Sequence, residues 1–182
     1  MKRTAVILLV LCVSIAMMAQ EKFCIAKDGK AATILVDEND WKGVIRAAKD
    51  LSDDVRKVTG VKAEVAVNSQ LSSLNSQLII GTIGKSKLID RLIKQKKLDI
   101  KPIKGHWEGY VIDVVDGNLV IAGNDKRGTI YGIYEISRHI GVFPWYWMAD
   151  APVVHQDELY WTDGRITDWP AVKYRGIFIN DE

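Results

Sequence analysis

Two cysteines are all that this sequence carries. One, Cys12, lies inside an apolar leader, so no internal disulfide framework is available and stability must come from a packed core. Cys24, in Phe23-Cys24-Ile25, reads as a small apolar residue. Histidine is equally scarce: His106, His139 and His155 stand far apart, and neither His-Glu-x-x-His nor Gly-x-Ser-x-Gly occurs. Zinc-hydrolase and serine-hydrolase readings both fail, and no metal site is expected. Asp37-Glu38-Asn39-Asp40 offers oxygen ligands without the spacing or glycine of a calcium loop, and helix capping accounts for these acids. Repeats, low-complexity tracts and Pro/Gly-rich linkers are missing. So is charge of one sign: the formal +2 includes Lys2 and Arg3, which leaves the rest near neutral and gives no reason to expect a nucleic-acid or anionic-membrane partner.

Only one long apolar run is present, Ala5 to Val13, preceded by Lys2 and Arg3 and followed by the small residues Ser14, Ala16 and Ala19. It is too short for the ~20 residues of a membrane span and has the layout of a secretory signal peptide. Residues 1–19 are therefore expected to be a cleaved leader, with cleavage after Ala16 or Ala19, and the product to be secreted or periplasmic. Leu11 precedes Cys12 where a lipoprotein signal has a small residue, so soluble export is expected rather than a lipid anchor.

Beyond the leader the pattern alternates. Ala32 to Val36 is a β-branched run. Trp41, Val44, Ile45, Ala48, Leu51, Val55 and Val58 then recur at three and four residues, the face of a helix with Asp40 placed to cap it and Gly60 to end it. Val61 to Val67 and Gln77 to Gly81 read as strands, and Ser86 to about Leu98 as a second helix ending in lysines. Trp107 to Val115 and Asn118 to Ala122 flank Asp116-Gly117, the chemistry of a two-residue hairpin. A third helix is expected from Asp125 to Gly141, with Ile130, Ile133, Tyr134, Ile136 and Ile140 on its apolar side. This order predicts an α/β (α+β) domain, an open mixed β-sheet with helices packed on it. Val142 to Pro170 reads as an irregular aromatic-rich connector, and Val172 to Ile179 as a further strand running into Asn180-Asp181-Glu182.

Two motifs invite a functional reading. Gly81-Thr82-Ile83-Gly84-Lys85-Ser86 sits between strand and helix like a phosphate loop, but Ile79 stands where the first glycine belongs, so a tight structural turn is the better account. Trp145-Tyr146-Trp147 presents aromatic planes of the kind that pack on sugar rings; covering by a neighbouring domain is the stronger expectation, since aromatics dominate interfaces.

Three blocks carry a family likeness. Asp125-Lys126-Arg127-Gly128-Thr129-Ile130-Tyr131-Gly132-Ile133-Tyr134, then Gly141-Val142 with Pro144-Trp145-Tyr146-Trp147-Met148-Ala149-Asp150, then Lys173-Tyr174-Arg175-Gly176-Ile177-Phe178-Ile179-Asn180-Asp181-Glu182, resemble the N-terminal region of glycoside hydrolase family 115. Ile79 to Ser86 resembles that family too. The resemblance implies a secreted α-glucuronidase that acts on glucuronoxylan side chains, needs no cofactor, and works through carboxylic acids in a (β/α)8 barrel. It also implies domain limits: 20–141 for the α/β N-terminal domain, 142–171 for the connector, and 172–182 for the first strand of a barrel that would follow in cis. Asp181 and Glu182 then fall at the end of that strand, where barrels place site residues, and are candidate substrate contacts. No pair of opposed carboxyl groups is complete within 182 residues, so the chain by itself is expected to be inactive. The alternative is a stand-alone exported carbohydrate-binding or interaction module built on the aromatic triplet.

Overall fold

The computed structural model describes residues 22–68, 76–146 and 151–176. In chain order the elements are β1 (Phe23–Lys27), β2 (Lys30–Ala31), β3 (Ile34–Val36), α1 (Lys42–Thr59), β4 (Val65–Val67), β5 (Leu78–Thr82), α2 (Lys87–Lys94), a 3-10 turn (Lys101–Ile103), β6 (Tyr110–Val115), β7 (Asn118–Gly123), α3 (Lys126–His139), β8 (Leu159–Trp161) and β9 (Ile166–Asp168). Successive side chains of a strand point to opposite faces, and here both faces are apolar. Ile34 and Val36 join one buried cluster and Leu35 the other; Leu78 and Ile80 divide from Ile79 in the same way, as do Leu119 and Ile121 from Val120. Such strands belong to a sheet covered on both sides. The sheet has six strands in the order β4-β3-β5-β7-β6-β9; β4, β3, β5 and β7 run parallel, and β6 and β9 are antiparallel additions. The mixed sheet with packed helices expected from the sequence is the fold observed.

Helices α1 and α3 cover one face through Val44, Ala48, Leu51, Val55, Ile133 and Ile136; α2 and the 3-10 turn cover the other through Leu88, Ile89, Leu92 and Ile103. Gly60 ends α1 in the left-handed conformation (φ 76°), its N–H donating to the Arg56 carbonyl. The Asp116-Gly117 turn has φ of 49° and 72°, the twist that joins β6 and β7 in register. Close approach, not side-chain interdigitation, seats the start of α3. A Cβ on Gly128 would lie 2.4 Å from the Gly109 carbonyl oxygen, and one on Gly123 would lie 2.1 Å from the Thr129 nitrogen.

Several sequence expectations change. Asp40 does not cap α1: Trp41 is the capping position, and the Asp40 carboxylate instead accepts from the Trp41 and Thr82 amides, tying the end of β5 to the loop after β3. Only Val65–Val67 of the expected 61–67 strand is paired, and α2 stops at Lys94 rather than near Leu98. Tyr134 stands 46% exposed, outside the apolar side expected of it. Val142 to Pro170 is not wholly irregular: β8 pairs with β1 in a second, three-stranded sheet, and β9 pairs with β6. Val172 to Gly176, the described part of the expected last strand, has no regular structure.

Candidate functional site

In open α/β sheets a ligand site is first sought at the C-terminal ends of the parallel strands. Here those ends are filled by the protein. After β3, the buried Asp37 accepts from the Asn39 amide (2.9 Å) and the Lys87 amide (2.7 Å). Beyond β5, the Ser86 hydroxyl caps α2, and a Cβ on Gly81 would fall 2.4 Å from it, so this glycine makes room for the cap. Gly84 donates its N–H to the Asp90 carboxylate at 2.8 Å, and the Lys85 ammonium lies 4.5 Å from the Trp41 ring centroid. A phosphate cradle needs those amides and that lysine free; the loop is a structural turn, as its spacing indicates.

A denser polar centre forms at the start of β6. Glu108, 2% exposed and with positive φ (55°), is held through its own N–H, which donates to Asp125 Oδ2 at 2.7 Å. The other Asp125 oxygen caps α3 at the Gly128 amide, 2.9 Å away. The Glu108 carboxylate pairs with Arg127 (2.9 Å) on one side and with Arg175 on the other, and both guanidinium groups reach the Tyr131 hydroxyl at 2.9 and 3.2 Å. Hydrogen bonds from Arg175 to Glu108 and then to Tyr131 raise the guanidinium pKa further. Residues from two of the sequence blocks, 125–134 and 173–176, thus meet on one buried carboxylate. Its consequence is mechanical: the segment carrying Arg175 is clasped to the N-terminus of α3.

Around this clasp runs a band of exposed aromatic surface. One cavity of about 570 Å³ is lined by Tyr110, Tyr131, Tyr134, Trp169, Val172 and Arg175 among others. A second, of about 640 Å³, lies between α1 and α3 and shares Tyr134 and Pro144 with the first; Phe143 and Tyr146 complete its rim. Lys57 bridges Asp54 (2.6 Å) and the Tyr146 hydroxyl (2.8 Å). Burial disfavours the charged lysine, but those two hydrogen bonds outweigh it and its pKa rises. Burial, then the neighbouring Asp50 carboxylate, raises that of Tyr134. The Ser137 hydroxyl in the wall has no hydrogen-bond partner among the described residues.

Of the candidates named from sequence, Trp145 is 55% exposed and Tyr146 sits in the band; Trp147, Asp181 and Glu182 lie outside the described residues. Sequence reasoning gave no role to Glu108, Tyr131, Tyr134 or Trp169. Arg127 and Arg175 stood in the blocks that carry the family likeness, but nothing in the spacing announced the acid between them. Among the described residues no group of three or more His, Cys, Asp or Glu is placed to hold a metal ion, and no helix is long and apolar enough to cross a membrane.

The family model described as the N-terminus of glycosyl hydrolase family 67 matches residues 19–136. Among solved structures, a family GH115 4-O-methyl-α-glucuronidase with specificity for decorated arabinogalactans is similar at 34% identity and a TM-score of 0.71. That match covers 88% of this chain and 20% of the other. The chitobiase of Flavobacterium johnsoniae, at 16% identity and a TM-score of 0.53, covers 88% and 20% in the same sense and shares the fold alone. This chain therefore spans about a fifth of the length of each. With more than half of its residues matched by the family model, and with the GH115 likeness extending over its described elements, the chain belongs to the glycosyl hydrolase family 67 N-terminus family and is a non-catalytic accessory domain of the kind found in GH115 enzymes.

Proposed function

We propose that this domain serves an exported α-glucuronidase, in which its aromatic face seats a (β/α)8 catalytic barrel and the Glu108 clasp fixes the segment leading from one to the other. The observation that carries the reading is the band itself. Tyr134, Phe143, Trp145, Tyr146 and Trp169 are all substantially exposed, and the band surrounds Arg175, the anchored residue of the leading segment. Aromatics concentrated on one side of a small domain mark a surface that another body covers. The chemistry belongs to the barrel: hydrolysis of a glycosidic bond needs two carboxyl groups ~5 to 9.5 Å apart, and Asp181 and Glu182 are proposed as contacts there, without a metal or cofactor. The substrate class is a plant polysaccharide bearing glucuronic acid or its 4-O-methyl form. Glucuronoxylan is the backbone expected from sequence, and the decorated arabinogalactans of the similar enzyme are the second candidate.

The test is reconstitution. A GH115-type α-glucuronidase trimmed of its corresponding region is assayed for uronic acid release with and without this domain in trans. The domain alone should release none. Added to the trimmed enzyme it should restore activity, and a Tyr134→Ala/Trp145→Ala double variant should restore less. Failure to restore activity, together with saturable binding of neutral oligosaccharides that Tyr146→Ala abolishes, would favour the stand-alone sugar-binding module. The unpartnered Ser137 hydroxyl beside Tyr134 and Tyr146 is what speaks for that second reading.

A further inference from the structure

We propose that the opposite side of the sheet, formed by α2 and the 3-10 turn, is a docking surface for acidic polysaccharide and holds uronic-acid carboxylates while the aromatic side is engaged elsewhere. The inference rests on the polysaccharide reading above and adds where the polymer is held and by what charge. Overall the protein carries only a small net charge of +2, so the feature is segregation rather than excess. Leu88, Ile89 and Leu92 turn one side of α2 into the core, which leaves Lys87, Arg91 and Lys94 in a row on the other at steps of four and three. Lys96, Lys101 and Lys104 continue that row past the helix. All six are exposed, and none has an ion-pair partner among the described residues. The acids interleaved with them already have work: Asp90 accepts from the Gly84 amide, Asp99 from the Lys101 amide, and Asp116 neutralises Lys97 at 2.6 Å.

The kind of anion follows from what the surface lacks. No exposed large hydrophobic residue falls between Val67 and Tyr134. An anionic bilayer is gripped by charge together with inserted apolar side chains, and single-stranded nucleic acid by charge together with stacked aromatics; this face offers charge alone. Lysine ammonium groups on flexible stems suit carboxylates presented at irregular intervals, as uronic acids are along a decorated main chain. The α1 side, with Asp50, Asp53 and Asp54 lining its cavity, would repel the same polymer, so attraction is directed to one face.

Affinity electrophoresis of this chain through gels holding 4-O-methylglucuronoxylan, or the same polymer with its carboxyl groups reduced to alcohols, tests the proposal. The acidic polymer should retard the protein and the reduced one should not, and retardation should weaken at least ~10-fold between 50 and 300 mM salt as screening shortens. Lys94→Gln/Lys96→Gln/Lys101→Gln keeps helix-compatible residues on exposed positions, and should abolish retardation with an unchanged circular dichroism spectrum. Equal retardation by the reduced polymer, no retardation at all, or an unaffected triple variant would overturn the proposal. So would sedimentation with phosphatidylglycerol vesicles in the absence of polysaccharide binding. The measurement requires no hydrolysis, so its failure leaves the reconstitution result standing, and failed reconstitution leaves this result standing.

Discussion

The two faces of the central sheet are built on different principles. On the α1/α3 face, helix and sheet approach at glycine: Gly123, Gly128 and Gly132 let α3 lie against β6 and β7 with no side chain between, and the exposed rim is aromatic. On the α2 face a single eight-residue helix sits on a smaller apolar cluster, and its rim is lysine. Backbone-to-backbone contact leaves no room for error, whereas side-chain contact can relax. The first face should therefore be the brittle one and the second the tolerant one.

Glycine substitution probes that difference most strongly. Gly128→Val places its side chain on the Gly109 carbonyl and should cost more than ~4 kcal/mol, enough to lose near-UV circular dichroism. Gly84→Ala, next to α2, has open space around it and only its left-handed backbone (φ 75°) to oppose it, so about 1 kcal/mol is expected. Equal losses would break the comparison. Helix caps come next. Asp125→Ala removes acceptors from two amides, Gly128 and Glu108, and should cost about 2 kcal/mol; Ser86→Ala removes one long bond (3.4 Å to Ile89) and should cost under ~1 kcal/mol. Urea denaturation of the two variants gives the ratio.

The clasp should behave differently from either face. In Arg175→Met the partners Arg127 and Tyr131 remain to cover Glu108, so the loss of global stability should stay below ~1 kcal/mol, as for other partly exposed pairs. Amide exchange across 171–176 should instead quicken by ~10-fold or more, because that segment has no ladder of its own. Unchanged exchange would show that the segment is held by something other than Arg175.

How much of this was legible in the sequence depends on how local its cause is. Gly60, Asp116-Gly117 and Asp125 act within a few residues, and each does what its chemistry indicates. The same turn chemistry recurs at Asp28-Gly29 (φ 51° and 70°), joining β1 to β2, and was passed over because β2 is only two residues long. The pairings of β8 with β1 and of β9 with β6 join distant segments through three-residue strands, too short for any period to register. Asp40 misled for the same reason: a residue well placed to cap α1 was drawn away by the Thr82 amide, 42 residues on. At the site, the aromatic positions could be seen but the buried Glu108 could not, since a carboxylate between two distant arginines exists only once the chain is folded.

The smallest expected effect concerns exposed ion pairs, where the two faces should not differ at all. On α1, Asp53 lies 3.1 Å from Lys62, with 40% and 61% of their side chains exposed; beside α2, Lys97 and Asp116 are 2.6 Å apart at 45% and 57%. The hydrogen bond from Lys62 holds the Asp53 carboxyl below its usual range; burial works against this, and the charges of Lys62, Arg56 and Lys57 add to it. A carboxyl whose folded pKa is depressed contributes stability above its unfolded value, near ~3.9, and loses it as pH falls through the folded value. Solvent screening reduces that contribution to under ~1 kcal/mol, or no more than ~2 to 4 °C in midpoint at this size. Lys62→Met should therefore lower the midpoint slightly at pH 7, and by nothing at pH 2, where Asp53 is protonated with or without its partner. Lys97→Met should cost a similarly small amount at pH 7, and both losses should shrink in 0.5 M salt. A large loss at Lys62 but not at Lys97, persisting in salt, would mean that the charged rim of α1 is structural, and the division into a brittle face and a tolerant one would then extend from the glycine contacts to the surface.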